Sequence, residues 1–525
     1  MIQAGNGGGL VNKVAGLRRG SRASCVLTPR WVMVVLMVAL IALVFSTFRR
    51  YGFTSDDVHG FARASRILAF LSSGGADRAG VGKFVNANFY GAMPDLIALV
   101  LQKAFPVLSL DSRHLAAALF GVIGVFYVYR LGTLLGGRWT GPIAALLLTF
   151  NPMWLGYMFI NIKDIPFATA LLAASYHGLR VLGDERPPGR LSWVALAIWS
   201  GLLATIKLLG LPMLGVVVGI LLAALLIERR RFDPRVLALR TLGAAVAVSL
   251  GSLLCAALFW PQLFLYTPGQ VLQVVRTFLD YTPWHGRVLL NGATYPQDRV
   301  PRYYVLAYLV VSMPLFLQAL FLSAAPIALR IARLRVLGLV AVPAAFLLVQ
   351  AVTHSREYNG FRHFLFILPY MTVAAAFALA HVACDSRSRL VRVAGVGALI
   401  AFMGVSALGM SRLFPYQYSS YNLLVGGIEG AQGRFYVDVW HSAHREALGL
   451  LDRASAPGVA LKVYSCGPPL DYLDYPRMQR VKKRSQADYV VALPRGCPVS
   501  KFPGLRTVAE VKRGNVLFAS VLAPN

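Results

Sequence analysis

Acidic residues are scarce in this chain: 22 Asp and Glu stand against 52 Lys and Arg in 525 residues, and charged residues of both signs make up only 14%. With 57% hydrophobic residues, that shortage excludes a water-soluble enzyme with one large core and points to a polytopic membrane protein. The net charge of +30 would suggest nucleic acid in a soluble protein. In a membrane protein it is explained by Lys and Arg gathering in cytoplasmic loops and near anionic headgroups, so no nucleic-acid partner is expected. Cysteine is also sparse, five in all, with no metal-type spacing. Internal repeats of the kind on which many transporters are built are not visible.

The first 30 residues are Gly-rich and basic (Lys13, Arg18, Arg19, Arg22, Arg30) and read as a cytoplasmic arm. Trp31 to Phe48 follows as a first span; the run is too long for a signal peptide and no small-residue cleavage site follows it, so it reads as an uncleaved anchor. Ten further apolar stretches lie near 113–132, 139–158, 165–182, 191–208, 210–228, 237–260, 303–324, 336–353, 363–383 and 393–410, about eleven spans in total. The fourth and fifth of these are continuous in hydropathy and divide at Gly210-Leu211-Pro212. Loops predicted cytoplasmic carry Arg130 and Arg138, Arg186 and Arg190, Arg229 to Arg231 with Arg235, then Arg330, Arg333 and Arg335, then Arg387, Arg389 and Arg392, as the positive-inside rule requires. An inside N-terminus then places the C-terminus outside, in the periplasmic or extracytoplasmic space of a cytoplasmic (inner) membrane.

Three domains are expected: the arm at 1–30, a transmembrane domain at 31–410 with a large outer loop at 49–112, and an extracytoplasmic α/β module at 411–525. In the outer loop, Val58 to Leu71 and Tyr90 to Phe105 are amphipathic and too short to span, so they lie in the interface plane. In the module, Val459 to Tyr464, Tyr489 to Leu493 and Val516 to Val521 read as strands and His444 to Arg453 as a helix. Cys466 and Cys497 share that module and either pair or remain thiols; Cys25, Cys255 and Cys384 fall in the arm or in spans.

The chemistry concentrates on the outer side. YGFTSDDVHG, Tyr51 to Gly60, holds two adjacent carboxylates, Asp56 and Asp57, with His59 two residues on. An acidic pair beside a membrane span costs several kcal/mol to desolvate, so it lies at the interface or in a wet cavity; the plain alternative is a polar loop. NIKDIPF (Asn161 to Phe167) puts Lys163 beside Asp164, where the lysine either snorkels to the interface or fixes an anionic group. PWHG (Pro283 to Gly286), NGATYPQD (Asn291 to Asp298) and PRYY with Tyr303 and Tyr304 suit sugar stacking or an aromatic interface belt. HSREYNGFRHFLFILPY (His354 to Tyr370) brings Arg356, Arg362 and His363 to the start of a span, and a guanidinium fork there matches two phosphate oxygens. The basic run RVKKR, Arg480 to Arg484, suits an anionic acceptor or headgroups, or is simply a solvated surface.

In this order, these motifs together with FPYQYSSYNLLVGGIEGAQGRFYVDVW (Phe414 to Trp440) resemble the C-type (GT-C) membrane glycosyltransferases, in particular bacterial relatives of the dolichyl-phosphate-mannose protein mannosyltransferases and the lipid A aminoarabinose transferase. The resemblance runs from about Asp56 to Trp440. It implies a GT-C fold and a transferase that passes a sugar from a polyprenyl-phosphate carrier to a hydroxyl on a lipid, glycan or protein at the outer face. It also implies Asp56 as general base of an inverting displacement, Asp57 orienting the acceptor or raising the basicity of its neighbour, and Lys163, Arg362 and Lys207 on the carrier phosphate. Asp164 would hold Lys163, and His59, Asp164, Tyr303, Tyr304 and His363 would line the substrate site. No nucleotide leaves, so no cofactor is required; a divalent cation held by His59 and Asp57 is the alternative to a simple hydrogen bond between them. The chain departs from the mannosyltransferases in having Asp-Asp where they have Asp-Glu, Ile162 where many have Pro, and no large inserted luminal domain. A transporter or flippase, or a lipid-binding scaffold without catalysis, is the competing class; a carrier would have little use for an outer α/β module.

Overall fold

The structure is a computed structural model describing residues 28–82, 90–183, 187–229, 233–280, 286–353, 357–438 and 440–525. The arm as far as residue 27, Cys25, Arg186, Arg230, Arg231, most of PWHG and the His354–Arg356 stretch lie outside the described residues.

Helix α1 (Pro29–Thr47) packs on α4 (Ser112–Gly136), and between them the chain builds a platform from α2 (Ser55–Ser72) and α3 (Met93–Ala104). The two platform helices pack on each other through Ala64, Ile67, Leu96 and Leu99, the inward faces of two amphipathic helices. A bent pair follows, α5 (Thr140–Thr149) and α6 (Pro152–Ile160), turned by 62°. Pro152 starts α6, and the Asn151 side chain accepts the Met153 N–H at 3.0 Å, so the break leaves one freed donor satisfied. Next come α7 (Asp164–Leu182), α8 (Arg190–Ile206), α9 (Gly210–Arg229), α10 (Pro234–Phe259) and α11 (Pro268–Asp280). Thus α8 and α9 meet across Lys207, Leu208 and Leu209.

A hairpin of β1 (Arg287–Leu290) and β2 (Ala293–Pro296) turns on Asn291 and Gly292, whose φ values of 48° and 85° are those a two-residue hairpin loop needs. The second bent pair, α12 (Tyr304–Ser312) and α13 (Leu315–Arg330), folds back by 114° at Met313-Pro314. The carbonyls freed there, of Val310 and Met313, each accept from Gln318 Nε2 (2.8 and 2.8 Å) and Asn422 Nδ2 (2.6 and 2.9 Å). Helices α14 (Leu334–Thr353), α15 (Leu368–Ala380) and α16 (Arg389–Leu413) complete the bundle, with α15 its most enclosed member. Among the described residues seven helices are long and apolar enough to cross a membrane, nine if each bent pair is one span. Helices α7 and α8 coincide with the two remaining apolar stretches of the sequence and stand outside that count.

Beyond α16 a short α17 (Gly427–Ala431) and α18 (Ala443–Ala454) precede a five-stranded sheet of β3 (Leu461–Ser465), β4 (Met478–Arg480), β5 (Tyr489–Ala492), β6 (Leu505–Arg513) and β7 (Val516–Pro524), in the order β4-β3-β5-β7-β6. The first three strands are parallel; β7 runs antiparallel to β5 and β6, with α18 packed against the sheet. Cys466 and Cys497 are joined in a disulfide.

Close backbone approach holds α8 to α10. A Cβ on Gly251 would stand 1.9 Å from the Ala197 carbonyl oxygen, and one on Gly201 2.3 Å from the Gly251 oxygen. Gly251→Val therefore forces the helices apart and costs about 1–3 kcal/mol, read as a lower thermal unfolding midpoint in detergent. Gly219→Ala in α9, where a Cβ meets nothing within 4 Å, leaves the midpoint unchanged or higher.

Candidate active site

The site forms where the start of α2 meets the break between α6 and α7, the α8–α9 break and the 3-10 turn Arg362–Ile367 that leads into α15. Thr54 precedes α2 in extended conformation, and the Asp57 carboxylate reaches back to accept its N–H at 2.7 Å and its hydroxyl at 2.8 Å. The other Asp57 oxygen accepts from Arg113 Nε of α4 at 2.9 Å, and Arg113 also reaches Asp95 of α3 at 2.5 Å. Arg63 of α2 lies 3.6 Å from Asp95. These four buried charges alternate in sign and tie the platform to the bundle. Gly60 has no room for a side chain beside them: a Cβ there would stand 2.1 Å from an Asp95 oxygen.

A helix turns about 100° per residue, so with Asp57 turned inward its neighbour Asp56 faces another way, into the cluster. Asp56 Oδ2 accepts from Arg362 Nη1 at 3.0 Å and lies 3.7 Å from Lys163 Nζ. Arg362 Nη1 is 3.9 Å from Asp164 Oδ2, and Asp164 Oδ1 accepts from Lys207 Nζ at 2.6 Å. Asn161 sets this corner: its Nδ2 donates to Asp164 at 2.9 Å while its Oδ1 accepts the Asp164 N–H at 2.8 Å. The guanidinium of Arg362 lies over the Trp440 ring at 4.7 Å and the Tyr358 ring at 5.2 Å. Lys207 sits over Phe167 at 4.9 Å.

Three cations thus surround two carboxylates, an excess of one positive charge. Arg362 and Asp164 are enclosed (side chains 6% and 5% exposed), whereas Asp56 is 31% and each lysine 25% exposed, so the carboxylate and the ammonium groups face the accessible side. Burial works against ionisation of Asp56, but the Lys163 ammonium and Arg362 guanidinium outweigh it and hold the carboxyl well below the usual carboxylate range.

Five of the sequence candidates, Asp56, Lys163, Asp164, Lys207 and Arg362, therefore meet in one cluster. Their pairing differs from expectation: Asp164 is joined to Lys207, because the α8–α9 break brings Lys207 to the start of α7, and Lys163 turns to Asp56. The others stand apart from the cluster's contacts. Asp57 is buried on Arg113; His59 is exposed. Tyr303 is exposed, and Tyr304 is buried, its hydroxyl accepting the Gly360 N–H at 2.9 Å. His363 pairs through Nδ1 with Glu357 at 2.9 Å. Among the described residues no three His, Cys, Asp or Glu side chains are placed to hold a metal. Sequence reasoning missed Asn161, Tyr358 and Trp440; each stood inside a quoted motif, and aromatic rings flanking a buried arginine were the available signal.

The segment leading to Asp56 is held from the C-terminal side. Arg445 of α18 donates to the Tyr51 carbonyl and to Asp111, both at 2.7 Å, and lies 2.9 Å from Asp474. Asp471 accepts the Phe53 N–H at 3.1 Å and contacts His444 Nδ1 at 2.8 Å.

Residues 96–255 match a family model described as dolichyl-phosphate-mannose-protein mannosyltransferase. The fold is similar to that of ArnT from Cupriavidus metallidurans, solved in the apo state (17% identity, TM-score 0.52) and bound to undecaprenyl phosphate (17%, 0.51), with 93% of this chain and 97% of that one covered in both. The oligosaccharyltransferase AglB from Archaeoglobus fulgidus is more distant, at 13% identity and a TM-score of 0.48 over 88% of this chain and 65% of that one. No curated protein sequence matches. The resemblance to the C-type membrane glycosyltransferases thus extends to the fold, a helical membrane bundle with a small C-terminal sheet.

Arg113→Ala takes the shared guanidinium from two buried carboxylates, leaving Asp57 on the Thr54 N–H and hydroxyl and Asp95 on Arg63, and costs about 3–5 kcal/mol in unfolding experiments on the solubilised protein. Lys163→Ala opens a part-exposed pair and changes stability by about 1 kcal/mol or less in the same assay.

Proposed function

We propose that this protein is an inverting glycosyltransferase that moves a sugar from a polyprenyl-phosphate carrier to an acceptor hydroxyl on a lipid, glycan or protein, at the outer face of a cytoplasmic membrane, with Asp56 as general base. The observation that carries the reading is the Asp56–Arg362–Lys163–Asp164–Lys207 cluster. Its excess of one positive charge suits the single charge of a phosphodiester, and it contains a partly exposed carboxylate, Asp56, able to take a proton. The mannosyltransferase family match over 96–255, which includes Lys163, Asp164 and Lys207, supports the same class.

In the reaction the acceptor O–H gives its proton to a carboxylate oxygen of Asp56. The acceptor oxygen attacks the anomeric carbon from the face opposite the phosphate, and the bond from that carbon to the phosphate oxygen breaks. The carrier leaves as a phosphate monoester with one more negative charge than it brought, and Lys163, Arg362 and Lys207 stabilise that added charge more than the donor's. Asp164 keeps Arg362 and Lys207 aimed, and Asp57, through Arg113, fixes the α2 start from which Asp56 projects. The phosphate charge is met by three side-chain cations, so this reading uses no metal.

Asp56→Asn is expected to keep its membrane insertion and lose transfer from a radiolabelled polyprenyl-phosphate sugar by about 100-fold to 10,000-fold in nanodiscs; a fully active Asp56→Asn protein would overturn the mechanism. A lowered pKa means that the basic form of Asp56 persists to acid pH. The acid limb of kcat/KM, which reports the free enzyme, therefore lies below the ordinary carboxylate value of about 3.9. A bound phosphate draws Lys163 and Arg362 from the carboxylate, so the acid limb of kcat lies at higher pH than that of kcat/KM. Coincident limbs would show that Asp56 does not share its cations with the donor.

A further inference from the structure

Arg362 follows by two residues a turn in which Asn359 (φ +58°) and Gly360 (φ +73°) are both left-handed, a conformation that Asn and Gly tolerate best. That turn is tied at two points. The Tyr304 hydroxyl accepts the Gly360 N–H, and Arg495 Nη1 donates to the Asn359 side-chain oxygen at 2.8 Å, with Asn359 buried beneath it. Arg495 belongs to the C-terminal sheet unit, in a tight loop closed at its base by the Leu493 N–H on the Cys497 carbonyl at 2.9 Å and fastened to the end of β3 by the Cys466–Cys497 disulfide. Its guanidinium lies over the Tyr436 ring at 4.6 Å, so its direction is restricted.

The same loop reaches Arg362 by a second route. The Arg495 carbonyl accepts from His441 Nε2 at 2.8 Å, and His441 is the residue after Trp440, whose ring covers the Arg362 guanidinium. One residue of the sheet unit therefore grips the turn before Arg362 with its side chain and the aromatic cover over Arg362 with its backbone.

We propose that Arg495, on its disulfide-closed loop, is a positioning residue that sets Arg362 to receive the carrier phosphate. This rests on the donor-phosphate reading of Arg362. It gives the outer module a part in the site without any contact between that module and the reacting atoms.

The test is binding of radiolabelled undecaprenyl phosphate to the full-length protein in nanodiscs, for wild type, Arg362→Ala, Arg495→Ala, Arg495→Lys, Asn359→Gly and the Arg495→Ala/Asn359→Gly double variant. Asn359→Gly removes the acceptor while keeping a residue suited to the turn, so it serves should Arg495→Ala fail to fold. Arg495→Ala and Asn359→Gly are each expected to weaken binding about tenfold, the worth of a hydrogen bond to a charged group. The double variant is expected to lose no more than either single change, because each breaks the same contact, and Arg495→Lys to recover part of the affinity. Loss in Arg362→Ala with full affinity in Arg495→Ala and Asn359→Gly overturns this inference alone, as do losses that add in the double variant. Undiminished binding by Arg362→Ala overturns the donor-phosphate reading, and the inference with it.

Discussion

The structure turns on one contact: a partly exposed carboxylate, Asp56, held against an enclosed guanidinium, Arg362. A buried arginine needs counter-charge, and its partners fall short of neutralising the lysines around it. Asp56 and Asp164 are shared among Arg362, Lys163 and Lys207, so the cluster as a whole is left with one positive charge to offer a further anion. That shared deficit makes the cluster a phosphate site in the proposed reading and not a closed ion pair.

Everything near the cluster keeps these charges at fixed separation. The breaks at 161–163 and 207–209 place Lys163, Asp164 and Lys207 at helix ends, where long side chains reach the accessible side. The Asp57–Arg113–Asp95–Arg63 chain holds α2 to α3 and α4, and Arg445 and Asp471 hold the residues before it. In a membrane bundle, buried polar groups of this kind are expensive unless each is paired, and their concentration beside one carboxylate marks where the fold accepts that cost.

Much of this was legible in the sequence because hydropathy and charge are local signals. The apolar stretches coincide with the helices, and Asp56, NIKDIPF and FRHFLFILPY meet in one cluster. What was not legible depends on rotation and long-range contact. Adjacent letters do not say which of Asp56 and Asp57 faces the cluster; that is set by the capping of α2 and by Arg113, an arginine in the polar stretch Asp111 to His114 that opens α4 ahead of its apolar run. Lys207 reads as a lysine between two spans until the helix break brings it to Asp164. Strands β4 and β6 were missed, the first being three residues long and the second mostly exposed and charged, without a clean alternation. Trp440 and Arg495 are far from Arg362 in sequence and act on it only through tertiary structure.

In the proposed reading, Asp56 and the carrier phosphate compete for the same cations. The most direct test of that competition is the equilibrium affinity of wild type and Asp56→Asn for undecaprenyl phosphate at neutral pH and low salt. Removing the competing carboxylate charge is predicted to leave binding as tight or tighter. Clearly weaker binding by Asp56→Asn would contradict the account, because Asp56 would then be helping to build the phosphate site instead of sharing it.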